Sequence, residues 1–526
     1  MRGYAGGVAV LLVLAGCSLQ APGNSADVGV ALTMPAPFTP GATIASVVVV
    51  LSNNGPTTAR GMAGSLQLAP GLEHVAVSEL PDGMSARYDG TSGQIDLSGV
   101  PDIAADQSLV FELSFLVPLT HEVTVSANLT TSSDQGSNIT PDEATVTMSA
   151  LAYDPPITIT TGGTYTGNWR STDPETAAIT IDTTEPVVID GANILAAGDG
   201  INAPSGAYDL TIRNVNAMAT YTNQSGLRKG NFVNAGNFQS LTVEHTWSAN
   251  FGDGIRALNF VPDPPANQML MVRFNEMRNL DGRLSDGAGG YDTTRWEGAN
   301  AVGMNTLSPV VAEIAWNEVI NRPGESSVED LISTYASSGT ATQPILIHNN
   351  YLQGGYPPDV TAFAPFTGCS IQIGDDPTRA DRGHTQAYDN QIVSFSNCGI
   401  GITSGHDQQA FRNRIISARV SPEGVPLNGT TRAPILLWDY YSHQDPFEEP
   451  QVNPYWYGNT LRDNDYSVAG ADGSLADAFL VDTTGNVVSG NRNPWNRVAT
   501  REDTLDEYQR WILKRAQSPE PIGPLR

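Results

Sequence analysis

A chain of 526 residues has room for two or three domains. Only 16 % of it is charged while Gly (52) and Pro (35) are frequent, a turn-rich all-β composition that excludes a protein built of long charged helices. A net charge of −28 repels phosphate backbones and argues against nucleic acid as a partner; it suits an exported protein that meets Ca2+.

Residues 1–16 have the layout of a signal peptide: Arg2, then the apolar run Val8-Ala9-Val10-Leu11-Leu12-Val13-Leu14, too short to span a bilayer. The run ends in Leu14-Ala15-Gly16-Cys17, which resembles the bacterial lipobox. That resemblance implies that Cys17 becomes the lipidated first residue of the mature protein and anchors it to a membrane. The alternative is an ordinary signal peptide with an incidental Cys. Residues 17–25, with Pro22 and Gly23, read as a tether.

From 26 to 150 short β-prone runs alternate with Gly, Pro, Asn and Asp turns. Ser46-Val47-Val48-Val49-Val50-Leu51 leads into Asn53-Asn54-Gly55-Pro56, and Leu68-Ala69-Pro70-Gly71-Leu72 follows. These residues resemble the Ig-like repeat of bacterial surface proteins, which implies a seven-strand β-sandwich serving as spacer or adhesion module.

Asp154-Pro155-Pro156 marks a second boundary, and residues 155–500 restate one phrase: Asn, any residue, then an apolar residue. It occurs at Asn275, Asn317, Asn350, Asn390, Asn413 and Asn459, with a His version at His245, at intervals of 23 to 46 residues. Each follows a short β-prone run, so the expected architecture is a stack of coils whose turn Asn tolerates left-handed backbone and bonds to its copy one rung away. These coils resemble the right-handed parallel β-helix of the pectate-lyase-like superfamily, an architecture that hosts lyases, hydrolases and non-enzymatic surface proteins. The expected fold class is therefore all-β: an Ig-like sandwich, then a right-handed parallel β-helix, then a C-terminal α-helix over 501–517. Thr500 and Asp503 form the capping box of that helix, and Leu505, Tyr508, Trp511, Ile512 and Arg515 form its stripe. The helix is expected to cover the open carboxyl end of the coil.

Cys369-Ser370-Ile371-Gln372-Ile373 and Cys398-Gly399-Ile400-Gly401-Ile402 occupy equivalent points of adjacent coils. Alternation puts Cys369 and Cys398 with the isoleucines on the interior face, one rung apart, as a disulfide or as a buried thiol pair.

Four polar clusters invite a chemical reading: Asp281, Arg283 and Asp286; Glu325, Glu329 and Asp330; Asp375, Asp376, Arg379, Asp381, Arg382 and His384; and Gly405-His406-Asp407. Polysaccharide lyases of this architecture resemble this set, with carboxylates holding Ca2+ against a uronate while Arg removes a proton. The lysine of that chemistry is scarce here, since Lys229 and Lys514 are the only two. The resemblance implies Asp330, Asp375, His384 and His406 as catalytic residues and Glu329, Asp330 and Asp375 as Ca2+ ligands, with lyase chemistry preferred over hydrolysis. Asp375, Asp376 and Asp407 equally suit turn positions bonded to backbone. Trp438, Tyr440, Tyr441, Tyr455, Trp456 and Tyr457 are candidates for stacking on sugar rings. The combined expectation is a lipid-anchored protein of the cell envelope or surface that binds an extracellular or envelope polysaccharide, acidic glycans included, and in its catalytic form cleaves it. The alternative is a non-catalytic structural or adhesive surface protein.

Overall fold

The computed structural model describes residues 25–34, 43–136, 138–204, 206–220, 224–259, 265–362, 367–374, 382–427, 433–440, 442, 453–470 and 472–525. Cys17, Asp375, Asp376, Arg379, Asp381 and Tyr441 lie outside them. The chain divides into two compact units, one holding Ala45–Ala150 with Met1–Phe38, the other Leu151–Arg526 with Thr39–Ile44.

The first unit is a sandwich of a four-stranded and a five-stranded sheet, nine strands among the described residues where seven were expected. In the strand Ile44–Asn53 every second residue is buried, because Ala45, Val47, Val49 and Leu51 face the other sheet. Asn53 ends that strand fully buried and uses its whole side chain. It accepts from the Asp27 and Gly55 amides at 3.1 Å and donates to the Thr57 and Ile103 carbonyls at 2.8 and 2.9 Å. Gly55 is needed beside it, since an added Cβ would stand 2.5 Å from the Asp27 nitrogen.

The second unit is a right-handed parallel β-helix of three sheets with 11, 11 and 10 strands. Within a coil the chain visits a first sheet (Ile157–Ile159 at one end, Phe479–Leu480 at the other), a second (Gly163–Tyr165 to Val487–Ser489) and a third (Asn168–Ser171 to Asp465–Val468). In the first sheet Ile201, Val233, Ile255, Val302, Ile332, Ile371, Ile400 and Ile435 align rung upon rung. All are buried, and this stack is one face of the core.

The Asn phrase is a buried ladder at the corner before the third sheet. Asn275, Asn317, Asn350, Asn390, Asn413, Asn464 and Asn491 each pass a carboxamide hydrogen bond of 2.8–3.0 Å to the next. Three expectations are corrected. The seventh rung of the spacing is not Asn459, which precedes a strand of the second sheet and pairs with Gln408 and Asn486 instead. Thr246, not His245, meets Asn275. The left-handed backbone belongs to the residue before the ladder position: Phe274, Trp316, Asn349, Asp389, Arg412 and Asp463 all have φ between 54° and 58°. Asparagine is there for its amide, and the turn is forced on whichever side chain precedes it.

The helix Arg501–Arg515 has the expected capping box of Thr500 and Asp503. It does not close the open end of the coil. It lies along the outer face of the third sheet, where Glu507 holds Gln391 and Arg414, Trp511 Nε1 donates to Glu318 at 2.5 Å, and Arg515 reaches Glu276 at 2.6 Å. Its buried face is Thr504, Glu507 and Trp511, with Tyr508 partly covered, whereas Leu505 and Ile512 are exposed. Apolar spacing misjudged this stripe because the docking surface is itself charged, and ion pairs set the helix rotation.

Cys369 and Cys398 are joined as a disulfide with Cα atoms 4.4 Å apart. They do not share the isoleucine face. Cys369 lines an outer groove with Gln372, and Cys398 Sγ lies 4.0 Å from Gln372 Oε1. Strict alternation fails at the start of these strands, as one rung below, where Leu331 and Ile332 are both in the core while Asp330 and Ser333 both line the groove. The corner turns one extra residue inward.

Candidate functional site

Each strand of the first sheet is preceded by a corner residue two places before its inward-facing apolar residue. Reading up the stack, these corners are Asp199, Asn231, Asp253, Asn300, Asp330 and then the two cysteines. Carboxyl and carboxamide alternate, so the Asp199 and Asp253 carboxyls meet donors from the next corner, while Asn300 also reaches the backbone of Asp330. The Asn231 amide and side chain donate to Asp199 Oδ1 at 2.7 and 2.8 Å, the Asn300 amide donates to Asp253 Oδ1 at 2.6 Å, and Asn300 Nδ2 donates to the Asp330 carbonyl at 3.0 Å. This column is the edge of a groove on the outer face of the sheet. The groove comprises two cavities of about 430 and 340 Å³ that share Glu329, Asp330 and Tyr335. Its rungs run from Arg256 to Leu436 over six adjacent strands, a length of about 24 Å at the usual strand spacing.

Two carboxyl groups in it have opposite surroundings. Asp253 is paired with Arg228 at 2.9 Å, with side chains 7 and 13 % exposed, and it takes the Asn300 amide as well. Glu329 has the reverse surroundings: burial pushes its carboxyl up from the usual carboxylate range, and the charge of Asp253 adds to the shift. Glycine is required around both. A Cβ at Gly298 would stand 2.1 Å from Glu329 Oε2, and one at Gly252 or Gly254 would stand 2.6 or 2.4 Å from the Lys229 or Ala301 carbonyl oxygen. Arg228 also donates to the Gly298 carbonyl at 2.7 Å and to Asn231 Oδ1 at 2.8 Å, so one guanidinium fixes Asp253 and the backbone under Glu329 together.

The sequence-derived candidates do not converge. Glu329 and Asp330 lie in the groove, but His384 and His406 sit at the far edge of the same sheet, at the corner before the second sheet. A five-residue strand such as Cys369–Ile373, about 16 Å, separates the two edges. Asp375, proposed both as catalytic and as a Ca2+ ligand, is outside the described residues. Asp281 and Arg283 form a buried ion-pair group with Lys229 and serve packing. Glu325 accepts from Asn279 away from the groove. Among the described residues Asp253, Glu329 and Asp330 do not form a group whose ligand atoms all lie within 4.8 Å of one another.

Asp253, Arg228 and Asn300 escaped sequence reasoning. The available signal was Gly252-Asp253-Gly254, an acid whose two neighbours tolerate no side chain. Of the aromatics, Trp438 and Tyr440 line the groove's far end with ring centroids 5.2 Å apart, while Trp456 packs on the core and donates to the Asp482 carbonyl at 2.8 Å.

No protein-family model matches the chain, and no curated protein matches it. Among solved structures it is similar to the catalytic unit of a thermostable GH87 α-1,3-glucanase from Streptomyces thermodiastaticus strain HF3-3, at 10 % identity over 90 % of this chain and 98 % of that one. The TM-score is 0.20, a level at which the likeness carries no argument about chemistry.

Proposed function

We propose that the groove of the β-helix binds an extended polysaccharide and hydrolyses it, using Glu329 as general acid and Asp253 as general base. The observation that carries this reading is the contrast between two neighbouring carboxyl groups in one groove, Glu329 pushed up by burial and by the charge of Asp253, and Asp253 bonded to Arg228 and to the Asn300 amide. Glu329 gives its proton to the glycosidic oxygen as the bond to the anomeric carbon breaks. A water attacks that carbon and passes its proton to Asp253. The two backbones stand two rungs apart, about 10 Å, which leaves room for the water of an inverting reaction.

Hydrolysis is preferred here over the lyase chemistry that the sequence suggested. Leaving aside the protonated Glu329, Asp253, Glu297 and Asp330 still outnumber Arg228 and Arg256 in the groove, and Arg228 is committed to Asp253. A uronate chain would meet net repulsion there, so the substrate is an uncharged glycan, with Trp438 and Tyr440 as stacking surfaces. Cys17 anchors the protein to the cell envelope in this proposal; its support is the Leu14-Ala15-Gly16-Cys17 sequence and a disulfide that implies an oxidising compartment.

The test is a panel of neutral and acidic glycans assayed for new reducing ends and for the ultraviolet absorbance of an unsaturated product. Reducing ends from a neutral glycan without absorbance, abolished in Asp253→Asn, are expected. Absorbance from an acidic glycan would restore the lyase reading, and neither turnover nor binding would leave the structural and adhesive reading standing.

A further inference from the structure

We propose that His384, His406 and Asp407 form a transition-metal site, suited to Zn2+, that staples two successive coils together on the side of the first sheet away from the groove. Each offers one ligand atom, and these atoms lie within 4.8 Å of one another. His384 comes from one coil, His406 and Asp407 from the next, and the coils are joined there by a parallel bridge between Gly383 and His406.

Several features hold these side chains toward a common point. His406 Nδ1 is 2.8 Å from Asp407 Oδ2, which fixes the ring against the carboxylate. Tyr457 from the following coil stacks on His406 at 5.1 Å and 12°, and His384 meets the same ring edge-on at 5.1 Å. Space is made by glycines on either side: a Cβ at Gly383 would stand 2.9 Å from His406 Nδ1, and one at Gly458 would stand 2.4 Å from Asp407 Oδ1.

The donors are available. Among the described residues neither ring nitrogen of His384 has a hydrogen-bond partner, and His406 Nδ1 meets only Asp407, the third member of the set; all three residues are half-buried and reachable from solvent. Two imidazoles with one carboxylate select zinc or a neighbouring transition ion over Ca2+ or Mg2+, which take oxygen ligands. Bonds of about 2.0–2.2 Å put tetrahedral ligands roughly 3.4 Å apart, so side-chain rotations close the set without moving the coil. Three protein ligands leave a fourth position to water. Binding would tie His384 to the coil that carries His406 and Asp407.

The experiment uses the untagged full chain freed of metal by a chelator. Zinc is titrated by calorimetry, bound metal is counted by elemental analysis, and melting is followed with and without Zn2+. The wild type is expected to hold one equivalent and to melt several degrees higher with zinc. His384→Gln and the double variant His384→Gln/His406→Gln are expected to lose that equivalent and the shift while keeping the wild-type circular dichroism. Co2+ in place of zinc should give the absorption of a tetrahedral site. Absence of binding in the wild type, or one equivalent retained by a folded double variant, overturns the proposal. Hydrolysis in the groove is unaffected either way, so this test stands apart from that of the proposed function.

Discussion

Asn350 Nδ2 donates to Asn390 Oδ1 at 3.0 Å, and the same oxygen takes the Asn350 backbone amide at 3.1 Å. Asn350 in turn accepts both donors of Asn317 and gives its second hydrogen to the Ile314 carbonyl at 2.9 Å. Asn350→Ala strands the Asn317 amide and carboxamide and the Ile314 carbonyl in a buried corner. At about 1–3 kcal/mol per stranded group, the coil should lose roughly 3–5 kcal/mol. Asn349→Gly, one place earlier, relieves a left-handed residue at φ 54° and should fall within about 1 kcal/mol of wild type. All eight tryptophans lie beyond residue 150, so denaturant unfolding followed by their fluorescence reports this unit alone.

That ladder also explains how far the sequence could be read. Asn390 and Asn413, only 23 residues apart, exposed the coil because one residue type has to recur wherever an amide stacks on an amide. The phase was less legible, since Asn459 and Asn464 both precede short strands and only pairing distinguishes them. The groove was the hardest part. Glu329 and Asp330 stood out as a charged pair, but Asp253 lies two coils earlier, 76 positions from Glu329 in the numbering, and acquires its meaning only when the coil brings Arg228 beneath it. His384 and His406 looked like companions of Glu329 because chain order cannot tell the two edges of one sheet apart. The docked face of the terminal helix was missed for a related reason: Glu276 and Glu318, its partners, belong to distant coils.

Glu329→Gln separates function from stability. A carboxyl whose folded pKa is raised binds a proton that the unfolded chain has already released. Stability contributed by that proton is complete below the ordinary Glu value and is lost as pH rises through the folded pKa. Glutamine removes the titration, so the variant should melt higher than wild type at neutral pH and lose that advantage in acid. Its hydrolysis should fall about 10²–10⁴-fold, the usual contribution of a positioned acid. Melting curves at several pH values and initial rates check both halves.

Arg228→Ala should act on the same site from the other side. It leaves Asp253 buried without its ion pair, a loss on the order of 3–5 kcal/mol. Asp253 also loses the group that positions it, so hydrolysis should fall along with the melting temperature. Arg228→Lys keeps the charge but not the bonds to Asn231 and the Gly298 carbonyl, and should recover the rate only in part. A folded Arg228→Ala that hydrolyses at the wild-type rate would deny Arg228 this role.

Lys514 ties the terminal helix to the third sheet, with Nζ donating to the Asp389 carbonyl and lying 5.8 Å from the centre of the Trp316 ring. Burial lowers its pKa to about 8, against the pull of Asp389 and Glu507. Between that value and the ordinary lysine value near 10.4 the unfolded chain holds a proton that the folded one has released, so stability rises with pH across this window. Below about pH 8 the charged amine is retained at a cost to the fold. Buried tyrosines such as Tyr508, raised to about 12, reverse the slope once the unfolded chain ionises its own tyrosines near pH 10. The clean interval is therefore pH 8 to about 9.5. There the melting temperature of Lys514→Met should stay flat relative to wild type, which climbs toward it. The variant should be the more stable of the two at pH 7, by at most about 3 kcal/mol. A wild type that loses stability relative to Lys514→Met over that interval would show that the amine stays charged in its seat.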